Sequence, residues 1–196
     1  QPVSGWGAGD RLILPDTRHL KWNEVNNWQT VGPQWEELTV QSVSGDGRSI
    51  TLTSALKFSH LGARDGSGTL RLLPHIGNLT RNVIVRSESP LGSGGTQGHS
   101  LFTERADVDI RYAAFRDLGR TLAQATGAGN QIGRYPVHFH HVMGPVSTPA
   151  NGYQFTLIGN AVDGGSTDHR RRWGITVHNT HYGLVADNVA YNYGGS

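Results

Sequence analysis

Cysteine is absent, methionine occurs once, and charged side chains make up only 16% of the 196 residues. Without thiols there are no disulfides and no thiolate metal sites, so a bound metal would need nitrogen and oxygen ligands. Long Ala/Leu/Glu/Lys stretches at helical spacing are missing, which argues against a helix bundle. No apolar run approaches the ~20 residues that a membrane-spanning helix needs. The formal net charge is only +2, which does not call for nucleic acid or an anionic membrane as partner. There is no P-loop, no dinucleotide fingerprint and no Gly-x-Ser-x-Gly elbow. The chain begins at Gln1 without a signal peptide and stops at Gly194-Gly195-Ser196, just after a strand-like run. It is expected to be an excised piece of a longer, secreted or cell-surface protein, with further coils to follow.

What is abundant is glycine, 27 residues, about twice the usual share of roughly 7%. Gly with Asn, Asp, Thr and Val suits turn-dense β structure. Residues 1–60 read as a small β module, the end of a Gly-rich β domain. Asp10 to Leu14 is strand-like. Trp35 to Val43 alternates, Ser44-Gly45-Asp46-Gly47 turns, and Ser49 to Thr53 returns; Asp-Gly between alternating runs signals a hairpin. His60 to Gly68 reads as loop. An Asn-Leu-Thr acceptor sequence stands at Asn78, relevant only in a eukaryotic secretory host.

A different rhythm starts near Asn78. Short apolar runs recur, each closed by Asn, Asp or Gly, among them DVDIRYAAFRDLG (107–119), GRYPVHFHHV (133–142), GYQFTLIGNAVDG (152–164), RWGITVHN (172–179) and HYGLVADNVAYN (181–192). Two unit types alternate, and one coil is expected to hold one of each. Recurrent units that cannot bury an apolar side alone must stack. The predicted fold is therefore all-β: a right-handed parallel β-helix over residues 61–196 behind the N-terminal module. A β-sandwich competes, but two-residue hairpin turns are scarce in this half. Asn160 and Asn188 fall at matching positions, as turn residues, as a stacked ladder, or as both.

Strand alternation sorts the histidines. In Pro136 to His141, Val137 and Phe139 share one face and His138 and His140 the other. In Gly174 to His178, Ile175 and Val177 oppose Thr176 and His178. Matching the apolar faces sets His138 beside Thr176 and His140 beside His178, about 5 Å apart if the coils are consecutive. The run from Gly98 to Ala106 is expected to add Glu104 to this column. With aliphatic residues inward, His138, His140 and His178 point outward, while His141 is expected to be buried at the strand end. Three chemistries fit: a divalent metal such as zinc or calcium on His140, His178 and Glu104; acid–base catalysis by His138, His140 and His178; or stacked structural side chains. His181 lies in the following turn, and His169 in a weaker loop position.

Around this cluster, Arg134 and Arg172 suit the carboxylates of an acidic polysaccharide, Arg134 as part of the reacting centre and Arg172 as a binding residue. Arg170 and Arg171 read as a solvated charge run. Tyr135, Trp173, Tyr153 and Tyr182 are candidates for stacking on sugar rings, with Tyr135, Trp173 and His181 assigned to substrate binding. Asp107, Asp109, Asp117, Asp163 and Asp187 read mainly as turn formers, Asp117 being the best candidate for acid–base work.

The segments GRYPVHFHH (133–141) and WGITVHNTHYGLVADNVAYN (173–192) resemble the family that includes cell-migration-inducing hyaluronan-binding protein and transmembrane protein 2. The resemblance extends back to Trp6-Gly7-Ala8-Gly9-Asp10 and is sharpest at Gly133 to Pro136, His138, His140, Val177-His178, Thr180-His181 and Gly183. It implies a G-eight domain beside a right-handed β-helix, a bacterial member, and a link to hyaluronan-like acidic glycans. Depolymerisation by a hydrolase or lyase, glycan binding without cleavage, and self-association through open β-helix ends all remain expectations.

Overall fold

The computed structural model of the protein describes residues 2–21, 31–89, 97–144, 152–165 and 171–194. Among the described residues the named elements are all β-strands, in two compact units, Gln1–Thr80 and Arg81–Ser196.

In the first unit, β1 (Arg11–Leu14), β2 (Glu36–Val43), β3 (Ile50–Leu52) and β6 (Gly77–Asn78) form one sheet in the order β3-β2-β1-β6. The β2–β3 pair is the hairpin that Asp46-Gly47 announced. Leu12, Leu14, Leu38 and Val40 alternate inward and form its core. The stretch read as loop carries a further small hairpin of β4 (Ala63–Arg64) and β5 (Leu70–Leu72), turned by Asp65, whose Oδ1 accepts the N–H groups of Ser67 and Thr69. β6 pairs antiparallel with β1 through Leu12 and Asn78, so residues up to Thr80 cluster with this unit. Asn78 itself is buried and bonded to Asp10.

Glu36 opens β2 from a buried position. Its carboxylate accepts the N–H groups of Lys57 and Phe58 and meets His60 Nε2 at 2.9 Å. Burial raises the pKa of this carboxyl, but those donors outweigh it and hold the net value below the ordinary range.

The second unit is a parallel β-helix. β7 (Val83–Arg86) leads into β8 (Ser100–Glu104), β9 (Val108–Arg111) and β10 (Ala113–Arg116). Next come β11 (Val137–Val142), β12 (Phe155–Ile158) and β13 (Ala161–Asp163), then β14 (Ile175–His178), β15 (Gly183–Ala186) and β16 (Val189–Tyr191). The parallel sheets are β14-β11-β8, β15-β12-β9 and β16-β13-β10-β7. Each coil thus has three strands, because the Leu-Val-Ala-Asp-Asn and Phe-Thr-Leu-Ile-Gly-Asn type of unit bends in its middle and supplies two. The bends explain many of the Asn, Asp and Gly residues that close the runs. The left-handed backbone recurs at Glu104, His141 and Asn179 after the first face, at Tyr112, Gly159 and Asp187 after the second, and at Asp117 and Asn192 after the third. Residues without a Cβ, or with a short amide or carboxylate, take that conformation at least cost.

Inside, Phe102, Phe139 and Phe155 stack with ring centroids 5.0 and 4.2 Å apart, amid Val137, Leu157, Phe115 and Val162. Gly183 belongs to this packing: a Cβ there would overlap the Phe155 ring. The Asn ladder is present. Asn160, fully buried, donates through Nδ2 to Ile110 O and Asn188 Oδ1, and its Oδ1 accepts the Ala113 N–H. Asn188 continues it by donating to Leu157 O.

Asn160→Ala strands several of these groups, and at about 1–3 kcal/mol for a buried polar group left unmet denaturant unfolding should show a loss of about 3 kcal/mol. An unchanged midpoint would refute the ladder's role. For Glu36 the lowered folded pKa means that its stabilisation is complete above the unfolded value, near 4.5, and is lost as pH falls through the folded one. Thermal unfolding of the chain should weaken below that pH, and Glu36→Gln should flatten this part of the profile.

Candidate functional site

The outward face of β8, β11 and β14 carries the imidazoles. Parallel pairing sets His138 between Leu101 and Thr176, and His140 between Thr103 and His178. The His138–Thr176 and His140–His178 neighbours are those that strand parity predicts. Glu104 is not in the column. A β-bulge shifts the register after His140, so that Glu104 lies opposite Val142 and Thr103 occupies the rung below His140. His141 is the extra residue of that bulge, with φ of 54°. Its expected burial is therefore reversed: Val142 takes the inward place at 0% exposure while His141 faces solvent. A bulge adds one residue without a partner and re-aims the side chain. The His141 ring stacks on His140 at 4.1 Å, and its Nε2 meets Asn179 Nδ2 at 3.3 Å.

His140 Nδ1 and His178 Nδ1 are 2.9 Å apart; one donates its N–H and the other accepts with a bare lone pair. His138 Nδ1 lies 3.0 Å from Gly133 O. A carbonyl only accepts, so this nitrogen carries the proton and the neutral ring keeps its lone pair on Nε2. That Nε2 is buried and has no partner among the described residues. One ligand atom from each of His138, His140 and His178 lies within 4.8 Å of the others. Burial lowers the pKa of His138 and of His140; for His138 the Gly133 carbonyl opposes this, while His140 and His178 add to it, and for His140 the neighbours His141 and His178 add to it. In His138 and His140 the surroundings thus favour the uncharged ring.

The segment before β11 walls this face. Asn130 Oδ1 accepts the Leu122 N–H, Thr121 Oγ1 donates to Gln131 O and accepts the Arg134 N–H, and Arg134 O receives Arg120 N–H. These bonds hold Ile132 to Tyr135 over the sheet. Between them and the strands lies a cleft of about 520 Å³, lined by Leu101, Ile132, Gly133, Arg134, Tyr135, His138, His140, Trp173, Thr176, Val177 and His178. Tyr135 is buried, its ring 4.9 Å from His138 and 5.1 Å from Trp173. Trp173 is 39% exposed and presents a ring to the cleft. Three buried polar atoms of the lining, His138 Nε2, Thr176 Oγ1 and Arg134 Nε, have no partner among the described residues.

Arg134, Tyr135, Trp173, His138, His140 and His178 thus meet in one cleft. Arg172 and His181 are not among its lining residues. Arg172 instead donates to the carbonyls of Leu122 and Gln124 and lies 5.9 Å from the Trp173 ring centroid. Arg171 is buried and donates to Leu118 O, so it is no solvated charge. His181 is exposed in the turn after β14. Asp117 and Asp187 occupy left-handed bends. His169 and Arg170 lie outside the described residues. Sequence reasoning gave no role to the Gly133 carbonyl or to Ile132. Gly133 stands in the Gly-Arg-Tyr-Pro motif, but a carbonyl contact leaves no mark in residue type.

Because Arg172 ties down the segment before β11, Arg172→Ala should lower stability by about 1.5–3 kcal/mol, the range for hydrogen bonds to a charged group. Denaturant unfolding checks this, and an Arg172→Lys chain should recover only part of it, lacking the planar fork.

The CEMIP beta-helix family model matches residues 96–196. The chain is 28% identical to mouse (Mus musculus) fibrocystin-L, over 100% of this chain and 5% of that protein. It is 26% identical to the human (Homo sapiens) cell surface hyaluronidase CEMIP2, over 97% of this chain and 13% of that protein. It is 27% identical to the cell surface hyaluronidase of Danio rerio, again over 97% of this chain and 13% of that protein. The chain therefore spans a small part of the length of these relatives. No solved structure matches it significantly. With the family model covering the whole run from β8 to β16, this chain belongs to the CEMIP beta-helix family.

Proposed function

We propose that the cleft on the β8–β11–β14 face binds an acidic polysaccharide of the hyaluronan type, outside the cell or at its surface, and that the imidazole cluster is the reacting centre of its depolymerisation. The observation that carries this reading is that three residues lining one cleft each hold a buried polar atom without a partner among the described residues, beside an exposed indole. A buried polar group normally has a partner, and here a ligand's hydroxyls and carboxylate supply it. Trp173 offers its face to a sugar ring. Arg134 offers its guanidinium to a uronate carboxylate. The similarity to two cell surface hyaluronidases supports the substrate class and the location.

The test is incubation of the purified chain with hyaluronan, reading new reducing ends and, separately, the ultraviolet absorbance of unsaturated products. His178→Ala should cut the rate at least about 100-fold, the scale of a lost proton-transfer group or its equivalent. Trp173→Ala should weaken binding about tenfold, the scale of one aromatic contact. Unsaturated ends mark β-elimination, and their absence marks hydrolysis. Affinity with no product would replace depolymerisation by a glycan-binding role, and no affinity for any acidic glycan would end the reading.

A further inference from the structure

We propose that His138, His140 and His178 form a three-nitrogen site for a divalent transition-metal ion of the zinc type. The inference concerns the same cleft and rests on the glycan reading only for what the ion would do to a substrate.

His138 provides the first ligand and the strongest argument. It is 3% exposed, its Nδ1–H is spent on the Gly133 carbonyl, and its Nε2 is buried without a partner. A metal-binding imidazole characteristically donates its other N–H to a carbonyl or carboxylate, which fixes the tautomer and aims the lone pair. Here that arrangement exists and the aimed lone pair meets nothing among the described residues. Leaving a buried acceptor unmet is unfavourable, so the bare lone pair points to a partner from outside the chain.

His140 and His178 complete the set. They stand one rung apart because parallel pairing puts them there, and their Nδ1 atoms are 2.9 Å apart. In a tetrahedral site with Zn–N near 2.0 Å, ligand nitrogens are about 3.3 Å from each other. Both rings are thus close to the required spacing, and a single ion can replace the proton they share. The three ligand atoms already lie within 4.8 Å of one another, and His178, the exposed member, is the one with room around its ring to close that distance. His141, stacked on His140, supports that ring from the side.

The donor set selects among ions. Three neutral imidazoles suit zinc and its neighbours, whereas calcium takes six to eight oxygens. With Glu104 displaced by the bulge, the calcium alternative loses its carboxylate. Three histidines also leave a fourth position open to water or substrate, as catalytic zinc sites do. The unpartnered Thr176 hydroxyl, next to His138 in register, is the group available to orient what enters there.

The experiment is titration of the metal-stripped 196-residue chain with zinc chloride, calcium chloride and cobalt(II) chloride, by calorimetry and by visible absorption for cobalt. Thermal unfolding and circular dichroism establish that each variant is folded without metal. The expected result is one zinc per chain, a four-coordinate cobalt spectrum, and no comparable calcium binding. His178→Ala and His140→Gln should each weaken zinc at least about 100-fold, as losing one of three ligands exceeds the 10–100-fold of an outer-shell change. His75→Ala, in the first unit, should change nothing. No zinc binding, equal affinity for calcium, or binding undiminished in both column variants overturns the proposal. No glycan is present in this titration, so zinc binding by a chain inert towards hyaluronan would sink the glycan reading and keep the metal site.

Discussion

Backbone pairing between successive parallel coils is the constraint on which the β-helix unit depends. Each strand finds its hydrogen-bond partners one rung above and below, so residues at equivalent positions become neighbours however long the loops between them. His140 and His178 are 38 positions apart in the chain and share a hydrogen bond. Asn160 and Asn188 are 28 apart and do the same. The two spacings differ because the loops on different faces differ, yet the rung is common to both.

That constraint turns residue columns into functional units. An inward column of phenylalanines closes the core, a corner column of asparagines satisfies buried backbone at the bends, and an outward column of imidazoles lies at the surface cleft. Stacking like on like is favourable for rings and for amides, which bond along the axis. For charges it is not, and in the outward column burial favours the neutral form of His138 and of His140. The bulge at His141 breaks the simple repeat in the central strand of the face that carries the cleft. It gives that strand one more outward ring and removes a carboxylate from the column. Bulges concentrate where side chains must be re-aimed.

The cleft also depends on a segment with little regular structure. Residues 119–136 are shaped by Thr121, Asn130 and Arg172 acting on backbone groups. A rigid sheet presents the column, and a loop tied by side chains covers it. Function carried on loops over a fixed scaffold is a common division of labour. Of the two arginines expected to meet a substrate, Arg172 bonds the carbonyls of Leu122 and Gln124, and Arg134 of the Gly-Arg-Tyr-Pro motif lines the cleft.

The sequence by itself determined the all-β class, the onset of a repeat near Asn78, the hairpin at Asp46-Gly47, and the pairing of His138 with Thr176 and of His140 with His178. These follow from period-two alternation and from the turn chemistry of Asn, Asp and Gly, which are local properties legible in a single chain. The tertiary structure decided that each coil has three strands, because a bend inside Phe-Thr-Leu-Ile-Gly-Asn-Ala-Val-Asp looks in sequence like one continuous run. It decided that Glu104 leaves the column and His141 enters the outward face, since a bulge is one extra residue placed by cross-strand register and has no composition of its own. It decided that His138 is buried although it points away from the core, because the cover comes from Ile132 to Tyr135. Only the folded loop brings the Gly133 carbonyl to His138 Nδ1 and so leaves Nε2 bare.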